Sequence, residues 1–149
     1  MVLCLRLKSA TTEGTDTNGG PGDHLIHGKL TNSILNAAYR VHSRLGPGLL
    51  ERPYRVCMAH ELGKRGIRFE VEKVFPVIYD GISIEFGYRV DLLVEEVVIV
   101  EIKAVENILP IHEAQLLSYL KLSGVRVGLL INFNVGDLRH GIRRRVSGY

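Results

Sequence analysis

The sequence predicts an α/β domain: a mixed β-sheet with an antiparallel three-stranded meander and one further parallel strand, flanked by helices. Three observations predict it. Two stretches with apolar residues at helical spacing come first, and three strand-like stretches joined by tight turns follow. A further helical stretch then separates two continuous apolar runs, and a helix in that position is typical of a crossover between parallel strands.

Length and composition indicate one folded domain. A chain of 149 residues with 46% hydrophobic content is long enough for a single core. The formal net charge of +3 is compatible with a nucleic-acid partner but does not require one. Cys4 and Cys57 form neither a disulfide framework nor a metal-binding pattern, so we expect a reducing, cytoplasmic setting. No run approaches the roughly 20 apolar residues of a membrane span, and we expect none.

The first 28 residues are expected to be a disordered tail. From residue 9 to residue 28 the composition shifts to Thr, Gly, Asp, Asn and Pro, with few apolar residues. Such a stretch cannot bury enough surface to offset the entropy lost on ordering. We therefore predict the folded domain over residues 29–149.

Two helices are predicted at the start of this domain. The first covers residues 30–45, with Thr31 or Asn32 as its N-cap and a Gly-Pro-Gly turn at its end. The second carries apolar residues at helical spacing over residues 50–62. Pro53 is tolerated in a first turn but disfavours helical geometry in the preceding residue, so we expect this helix to start later than its apolar pattern.

Three strands are predicted next. Phe69–Tyr79 and Ile82–Val94 are rich in β-branched and aromatic residues and flank a two-residue hairpin signal, Asp-Gly. Pro76 within the first of them indicates an edge strand or a bulge. A turn at residues 95 and 96 leads to a strand over residues 97–104, which opens with four β-branched residues and is therefore expected to be buried on both faces.

Charged residues stand at the end of this buried strand. Glu101 and Lys103 are two residues apart and so project from the same face. A structural ion pair and a functional site both explain them, because buried charge must be paired or bound. Asp91 falls across from Val100 or Glu101 according to the length of the intervening turn. Asp91 and Glu101 share a face only with the longer turn or a bulge.

Carboxylates on neighbouring strands repel each other unless a cation joins them. A divalent metal is the economical explanation for Asp91 and Glu101. Mg²⁺ in particular takes one or two carboxylates, keeps several waters and meets phosphate oxygens. Lys103 beside it supplies a positive charge for a developing phosphoryl anion or for the attacking water. Asp91, Glu101 and Lys103 therefore form a chemically coherent set.

The last part of the chain completes the sheet. After Pro110, a helix is predicted over residues 111–122, followed by a buried strand over residues 125–133 that runs parallel to the Glu101 strand. The helix carries a separate polar stripe, which is either a solvated face or part of a site: His112, Gln115 and Tyr119. Residues 137–146 end in three arginines that either contact phosphates or form a solvated tail: Arg143, Arg144 and Arg145.

Several motifs in this order resemble the GxxExxY family of the PD-(D/E)xK nuclease-like superfamily. Residues 48–54, GLLERPY, look like the signature itself. The resemblance extends over about residues 30–146 and includes RVDLLV at 89–94, VEIKA at 100–104, HEAQLL at 112–117 with Tyr119, and GLLINF at 128–133. Pro53 inside the signature departs from the family pattern.

The resemblance implies a restriction-endonuclease-like core and a metal site with Mg²⁺ as cofactor and Mn²⁺ as a substitute. By this resemblance Asp91 and Glu101 are the metal ligands and Lys103 the catalytic lysine. The remaining site residues implied are Glu51, the acidic residue of the leading helix, which can reach the metal through water; the backbone carbonyl of Ile102, a further ligand; and Gln115 and Tyr119, which match a Q-x-x-x-Y motif beside the site.

Two functional hypotheses follow from the resemblance. The first is a metal-dependent nuclease that hydrolyses phosphodiester bonds of nucleic acid, with DNA as the expected substrate. The second is a non-catalytic nucleic-acid-binding or interaction module that retains the nuclease fold, since a fold does not fix a function. A homodimer and recruitment into a larger DNA-processing complex are further expectations about partners.

Overall fold

The structure is a computed structural model that describes residues 25–148. The predicted tail lies outside the described residues except for its last four, residues 25–28. Of these, Ile26 packs against the core and Gly28 begins the first helix.

Three α-helices, five β-strands and one 3₁₀ helix form the described part of the chain. In chain order they are α1 (Gly28–Leu45), α2 (Glu51–Lys64), β1 (Phe69–Tyr79), β2 (Ile82–Val94), β3 (Val98–Lys103), α3 (Pro110–Ser123), β4 (Val127–Asn132), the 3₁₀ helix (Leu138–Gly141) and β5 (Ile142–Val146).

The five strands form one mixed sheet in the order β1-β2-β3-β4-β5. The pairs β1–β2, β2–β3 and β4–β5 are antiparallel, and β3–β4 is parallel. The three-stranded meander, the crossover through α3 and the parallel strand after it are thus confirmed. A mixed sheet of this kind, flanked by helices, is consistent with a restriction-endonuclease-like fold.

The sheet is covered on both faces. Apolar residues of α1 and α2 pack on one face, and those of α3 pack on the other. Because β3 and β4 lie in the middle of the sheet, nearly all their residues are buried, as a continuous apolar run predicts. Among the described residues, none of the helices has the length and apolar character that crossing a membrane requires.

The helix starts differ from the sequence predictions. α1 begins at Gly28, so the predicted cap at Thr31 or Asn32 is wrong; the Thr31 hydroxyl instead donates to the Gly28 carbonyl within the first turn, at 3.0 Å. α2 begins at Glu51, so the expected late start is also wrong. Pro53 fits in this first turn because its missing N–H would have had no partner within the helix.

The first strand confirms both readings of Pro76. β1 is an edge strand, and its register with β2 shifts between Phe75 and Val77. Gly87 lies opposite this bulge, where a Cβ atom would come within 2.5 Å of Val77 Cγ2. The close approach of the two strands therefore requires glycine at this position.

The arginine cluster near the C-terminus belongs to the sheet. β5 pairs with β4 along its length, so a solvated tail does not describe it. Arg144 Nη2 donates to the Ile26 carbonyl at 2.6 Å, and Arg145 forms an ion pair with Glu113 of α3. Both side chains tie β5 to the flanking helices.

Candidate active site

The turn between β2 and β3 sets the register of the site. Val94 pairs with Val98, which leaves three residues in the connection and corresponds to the longer of the two turns considered. Glu95 and Glu96 adopt positive φ angles of 50° and 61° there. The Glu95 carboxylate holds the turn by accepting from the Arg68 backbone N–H at 2.9 Å and from its guanidinium at 3.0 Å.

With this register, Asp91 lies opposite Glu101, but the two strands no longer pair there. The last backbone pair is Leu92 with Val100. Beyond it, the Asp91 N–H donates to Glu101 Oε1 at 3.1 Å, and the Ile102 N–H donates to Asp91 Oδ2 at 2.7 Å. The carboxylates therefore occupy a gap between the strands. The Ile102 carbonyl is directed to the same side of β3 as its N–H, and so toward this gap.

The hairpin changes face at the same position. Val90 packs on the α3 side, although a regular strand would place it on the same face as Leu92, which packs on the α1–α2 side. β2 thus switches face at Asp91. Glu72 lies opposite Asp91 on β1 and has a φ of 56°. Both strands leave regular geometry at one point, and this brings Asp91 toward α2 as well as β3.

Glu101 is a buried acid in this gap, with an exposed fraction of 6%. Burial and, second, the charge of Asp91 raise the pKa of Glu101 to about 8. A nearby cation would stabilise the ionised form of this carboxyl, which burial and the Asp91 charge disfavour. Lys103 lowers the pKa of Glu101 to a smaller extent and lies two residues along the same strand.

Two residues of the polar stripe on α3 lie beside this pair. Lys103 Nζ is 3.4 Å from Gln115 Oε1. Burial raises the pKa of the Tyr119 hydroxyl, and the charges of Glu101 and Asp91 raise it further, while a hydrogen bond with Gln115 lowers it. His112 has a different role: its Nδ1 accepts from the Leu109 N–H at 3.0 Å and caps α3. Of the three residues in the stripe, only Gln115 and Tyr119 therefore lie beside the Asp91–Glu101 pair.

Glu51 is the exposed first residue of α2. Tyr54 fixes the loop before it, because its hydroxyl donates to the Gly46 carbonyl at 2.6 Å and accepts from the Leu49 N–H at 3.2 Å. The Tyr54 ring also stacks on Phe133 at 4.6 Å between centroids. Over residues 25–148 no group of three or more His, Cys, Asp or Glu side chains converges on one point, so Glu51 does not join the Asp91–Glu101 pair directly.

Arg55 is a residue of the site that the sequence reasoning missed. Its Nη1 lies 3.5 Å from Asp91 Oδ1 and its Nη2 lies 3.5 Å from Glu72 Oε1. A signal existed, because Arg55 stands four residues after Glu51 and therefore on the same face of α2. The involvement of Glu72 had no such signal, since it depends on the β1–β2 register.

Two asparagines, also missed, hold the loops around the site. The Asn132 side chain accepts from the Val105 N–H at 3.0 Å and donates to the Val105 carbonyl at 2.9 Å. Asn134 Oδ1 accepts from the Gly48 N–H at 3.1 Å. These bonds fix the loops that follow β3 and precede α2, and no spacing in the sequence connects the residues involved.

The donor set fits a divalent cation. Two adjacent carboxylates and a backbone carbonyl are hard oxygen ligands, and Mg²⁺ completes its coordination with water. The raised pKa of Glu101 indicates an acid that lacks a full counter-charge. The residues able to hold the ion directly are Asp91, Glu101 and Ile102, the last through its carbonyl.

A comparison with protein-family models finds a match over most of the chain. The model described as the PD-(D/E)XK nuclease superfamily matches residues 28–145. Searches of the curated proteins and of the solved structures returned no match. The matched region begins with α1 and ends one residue before the end of β5.

Proposed function

Because the chain belongs to the PD-(D/E)XK nuclease superfamily, we propose that it is a Mg²⁺-dependent phosphodiesterase that hydrolyses nucleic acid, with DNA as its substrate. The observation that carries the proposal is the Asp91–Glu101 pair, which lies in a gap between strands beside Lys103. We also assign the chain to the GxxExxY family within the superfamily, on its Gly48 to Tyr54 motif.

Each residue has a distinct task in this proposal. Asp91, Glu101 and the Ile102 carbonyl would hold Mg²⁺, and Glu51 would reach it through water. When bound, Mg²⁺ polarises the phosphoryl group and makes a water more acidic. The Lys103 ammonium orients the attacking water and stabilises the negative charge that develops on the phosphoryl oxygens.

The α3 residues support Lys103. Gln115 accepts from the Lys103 ammonium and so limits the positions it can take. Tyr119 presents a hydroxyl that can donate to a phosphate oxygen, and burial raises its pKa further above neutral pH. Mn²⁺ would replace Mg²⁺ at the same oxygen ligands.

A non-catalytic module that binds nucleic acid or a protein is the second candidate. Two observations favour it. Arg55 already provides Asp91 with a positive partner, and Glu101 can remain protonated at neutral pH, so the fold can persist without a metal. A cytoplasmic component of a larger DNA-processing complex would need no more than this.

The two candidates differ in turnover. We expect the purified chain to degrade duplex or single-stranded DNA with Mg²⁺ or Mn²⁺ and not with a chelator. Asp91→Asn should abolish cleavage, and Lys103→Met should lower its rate by about 100-fold or more, as expected for loss of a charge that stabilises the transition state. Lys121→Met, on the exposed side of α3, is the matched control and should leave the rate unchanged.

Gel analysis of labelled oligonucleotides measures the rates, and RNA oligonucleotides in parallel test the choice of substrate. Cleavage that survives both substitutions would rule out this site. A chain that binds DNA without cleaving it under any metal condition supports the non-catalytic module instead.

A further inference from the structure

Arg55 stands between two carboxylates of different strands. Asp91 lies on β2 and Glu72 on β1, and each has an oxygen 3.5 Å from one guanidinium nitrogen of Arg55. The Arg55 side chain is 18% exposed and those of Glu72 and Asp91 are 22% and 19% exposed. The guanidinium is thus partly shielded from water and shared between the two acids.

The contacts are ion pairs of moderate length. A well-formed hydrogen bond from a guanidinium to a carboxylate is about 2.7–2.9 Å long. At 3.5 Å, Arg55 neutralises both acids without being locked to either. Glu72 is moreover held with a φ of 56° inside a strand, an unusual conformation for a residue other than glycine and one that occurs preferentially at functional sites.

This arrangement makes Arg55 a competitor for the metal. Asp91 Oδ2 accepts from the Ile102 N–H, and Oδ1 is the oxygen that faces Arg55. A divalent cation that binds through Oδ1 must share that oxygen with the guanidinium or displace it, and one that binds through the second lone pair of Oδ2 neutralises the charge that holds Arg55 at Asp91. Glu72 offers the displaced guanidinium a second partner at the same distance, so Arg55 can leave Asp91 without losing all its counter-charge.

We propose that Arg55 is a positioning residue that exchanges partners. Without metal it neutralises Asp91, and once metal is bound it is held by Glu72 and presents its free N–H groups to a phosphate oxygen of the substrate. The metal exchange stands on the geometry of these three residues, while the phosphate contact rests on the proposed function. The planar guanidinium suits this task because it can meet two acceptors at once.

Calorimetric titration with Mn²⁺ alone tests the exchange without any cleavage. We expect Arg55→Gln to bind Mn²⁺ about two- to fivefold more tightly, the range for one partly exposed ion pair. Glu72→Gln should bind Mn²⁺ more weakly, because Arg55 then has only Asp91 as a partner. In the double variant the Glu72 substitution should have little further effect, since it acts through Arg55.

Arg89→Gln is the matched control. Arg89 Nη1 lies 3.8 Å from Glu72 Oε1, its side chain is 64% exposed, and within the described residues no ion pair joins it to Asp91. This variant removes the same charge and should change Mn²⁺ affinity less than twofold. If Arg89→Gln and Arg55→Gln have equal effects, or if Arg55→Gln does not tighten binding, the exchange is wrong. Absence of Mn²⁺ uptake by the unmodified chain would overturn both the exchange and the proposed nuclease.

The phosphate contact is tested by fluorescence anisotropy with a labelled DNA duplex, in a Lys103→Met background so that little DNA is cleaved during the measurement. Arg55→Gln should weaken DNA binding several-fold with saturating Mg²⁺ and have little effect with a chelator. Arg55→Lys should recover only part of the loss, because it lacks the planar fork. Equal loss with and without Mg²⁺ would indicate a general charge effect and overturn the contact.

The partner exchange and the proposed nuclease can fail separately. If the Mn²⁺ titrations show the exchange but no DNA is cleaved, the exchange stands and the nuclease is rejected. If DNA is cleaved but the titrations show no exchange, the nuclease stands and the exchange is rejected.

Discussion

At the scale of single residues, Glu101 is the most constrained group of the site. It is nearly fully buried, and its carboxylate accepts from the Asp91 N–H while facing the Asp91 side chain. Burial and a neighbouring like charge both disfavour its ionised form. A metal ion at this point would reverse that preference, so Glu101 couples metal binding to the protonation and the stability of the fold.

The pH dependence of stability follows from this residue. The pKa of Glu101 is raised to about 8 in the folded chain from its usual value of 4.5. Between these values the folded state keeps a proton that the unfolded state has lost, so the free energy of unfolding without metal should fall as pH rises from about 5 to 8. Urea unfolding at several pH values, in the presence of a chelator, measures this pH dependence of the free energy of unfolding.

Glu101→Gln should flatten this dependence, because glutamine stays neutral at every pH. Glu106→Gln, an exposed acid in the loop after β3, is the control and should leave the slope unchanged. Saturating Mg²⁺ should restore stability to the unmodified chain at pH 8 more than at pH 5. Parallel pH profiles for the unmodified chain and Glu101→Gln would contradict the assignment.

At the scale of elements, the site depends on how strand ends and loops are joined. β3 ends at Lys103, and the loop after it is held by Asn132 at the end of β4. The 3₁₀ helix packs against the end of β4. Its Gly141 lies so near the Asn132 carbonyl that a Cβ atom would collide with it. These parts are distant in sequence, yet they determine where the end of β3 lies.

Gly141→Ala should therefore destabilise the chain by about 1–3 kcal/mol, the usual cost of adding a methyl group to a tightly packed place. The cause is backbone at Asn132, which cannot move as a side chain can. Gly136→Ala is a matched control, because a Cβ there meets nothing within 4 Å. Thermal and urea unfolding measure the free energy of unfolding of the two variants. Equal values would show that the 3₁₀ helix shifts to accommodate the added methyl group at little cost.

At the scale of the whole molecule, the β1–β2 hairpin extends beyond the body as an arm, residues 76–87. Its cross-strand pairs place Val77, Tyr79, Ile82 and Ile84 on one face. Tyr79 is 70% exposed and Phe86, further along the arm, is 81% exposed. A two-stranded ribbon with a bare apolar face is only marginally stable in water, so it gains from packing against another surface.

A second copy of the chain is the occupant that we expect for this arm. Asp80 and Glu85 make the arm acidic, with no lysine or arginine in residues 76–87, which disfavours contact with nucleic acid. In a two-fold dimer the same patch meets its own copy, so the apolar face of one arm would be covered by the apolar face of the other. The exposed apolar side chains of the arm present on the order of 600 Å², approaching the area that each partner of a standard interface buries.

The unmodified chain should therefore dimerise at micromolar concentration, as measured by sedimentation velocity over a dilution series. Replacing Ile82 and Ile84 together by threonine should shift it to monomer while keeping strand propensity. Val56→Thr, at an exposed apolar position on α2, is the control and should leave association unchanged. A monomer at all concentrations in the unmodified chain would contradict the dimer.

The sequence alone determined the order and type of the elements from α1 to β4 and led to a candidate site, whereas the 3₁₀ helix and β5 were not predicted. Apolar periodicity, the Asp80–Gly81 turn and the apolar run before Glu101 depend only on residues that are close together in the sequence. They can therefore be recognised without knowing the tertiary structure. They were sufficient to predict the mixed sheet and the crossover, and they led to Asp91, Glu101 and Lys103 as the proposed site residues. Helix starts were less well predicted: α1 begins at Gly28 after His27, which adopts a left-handed conformation that its residue type does not indicate.

Only the tertiary structure decided the register and the surroundings of that set. The three-residue turn held by Arg68 places Asp91 opposite Glu101, and the face switch at Asp91 brings this residue to Arg55. The Asn132 clamp joins residues far apart in the chain. Such contacts arise when separate elements pack together, and a side chain's spacing in the sequence does not specify which distant partner it will meet. The proposed site residues were therefore found from local sequence features, whereas packing between distant elements determined their geometry.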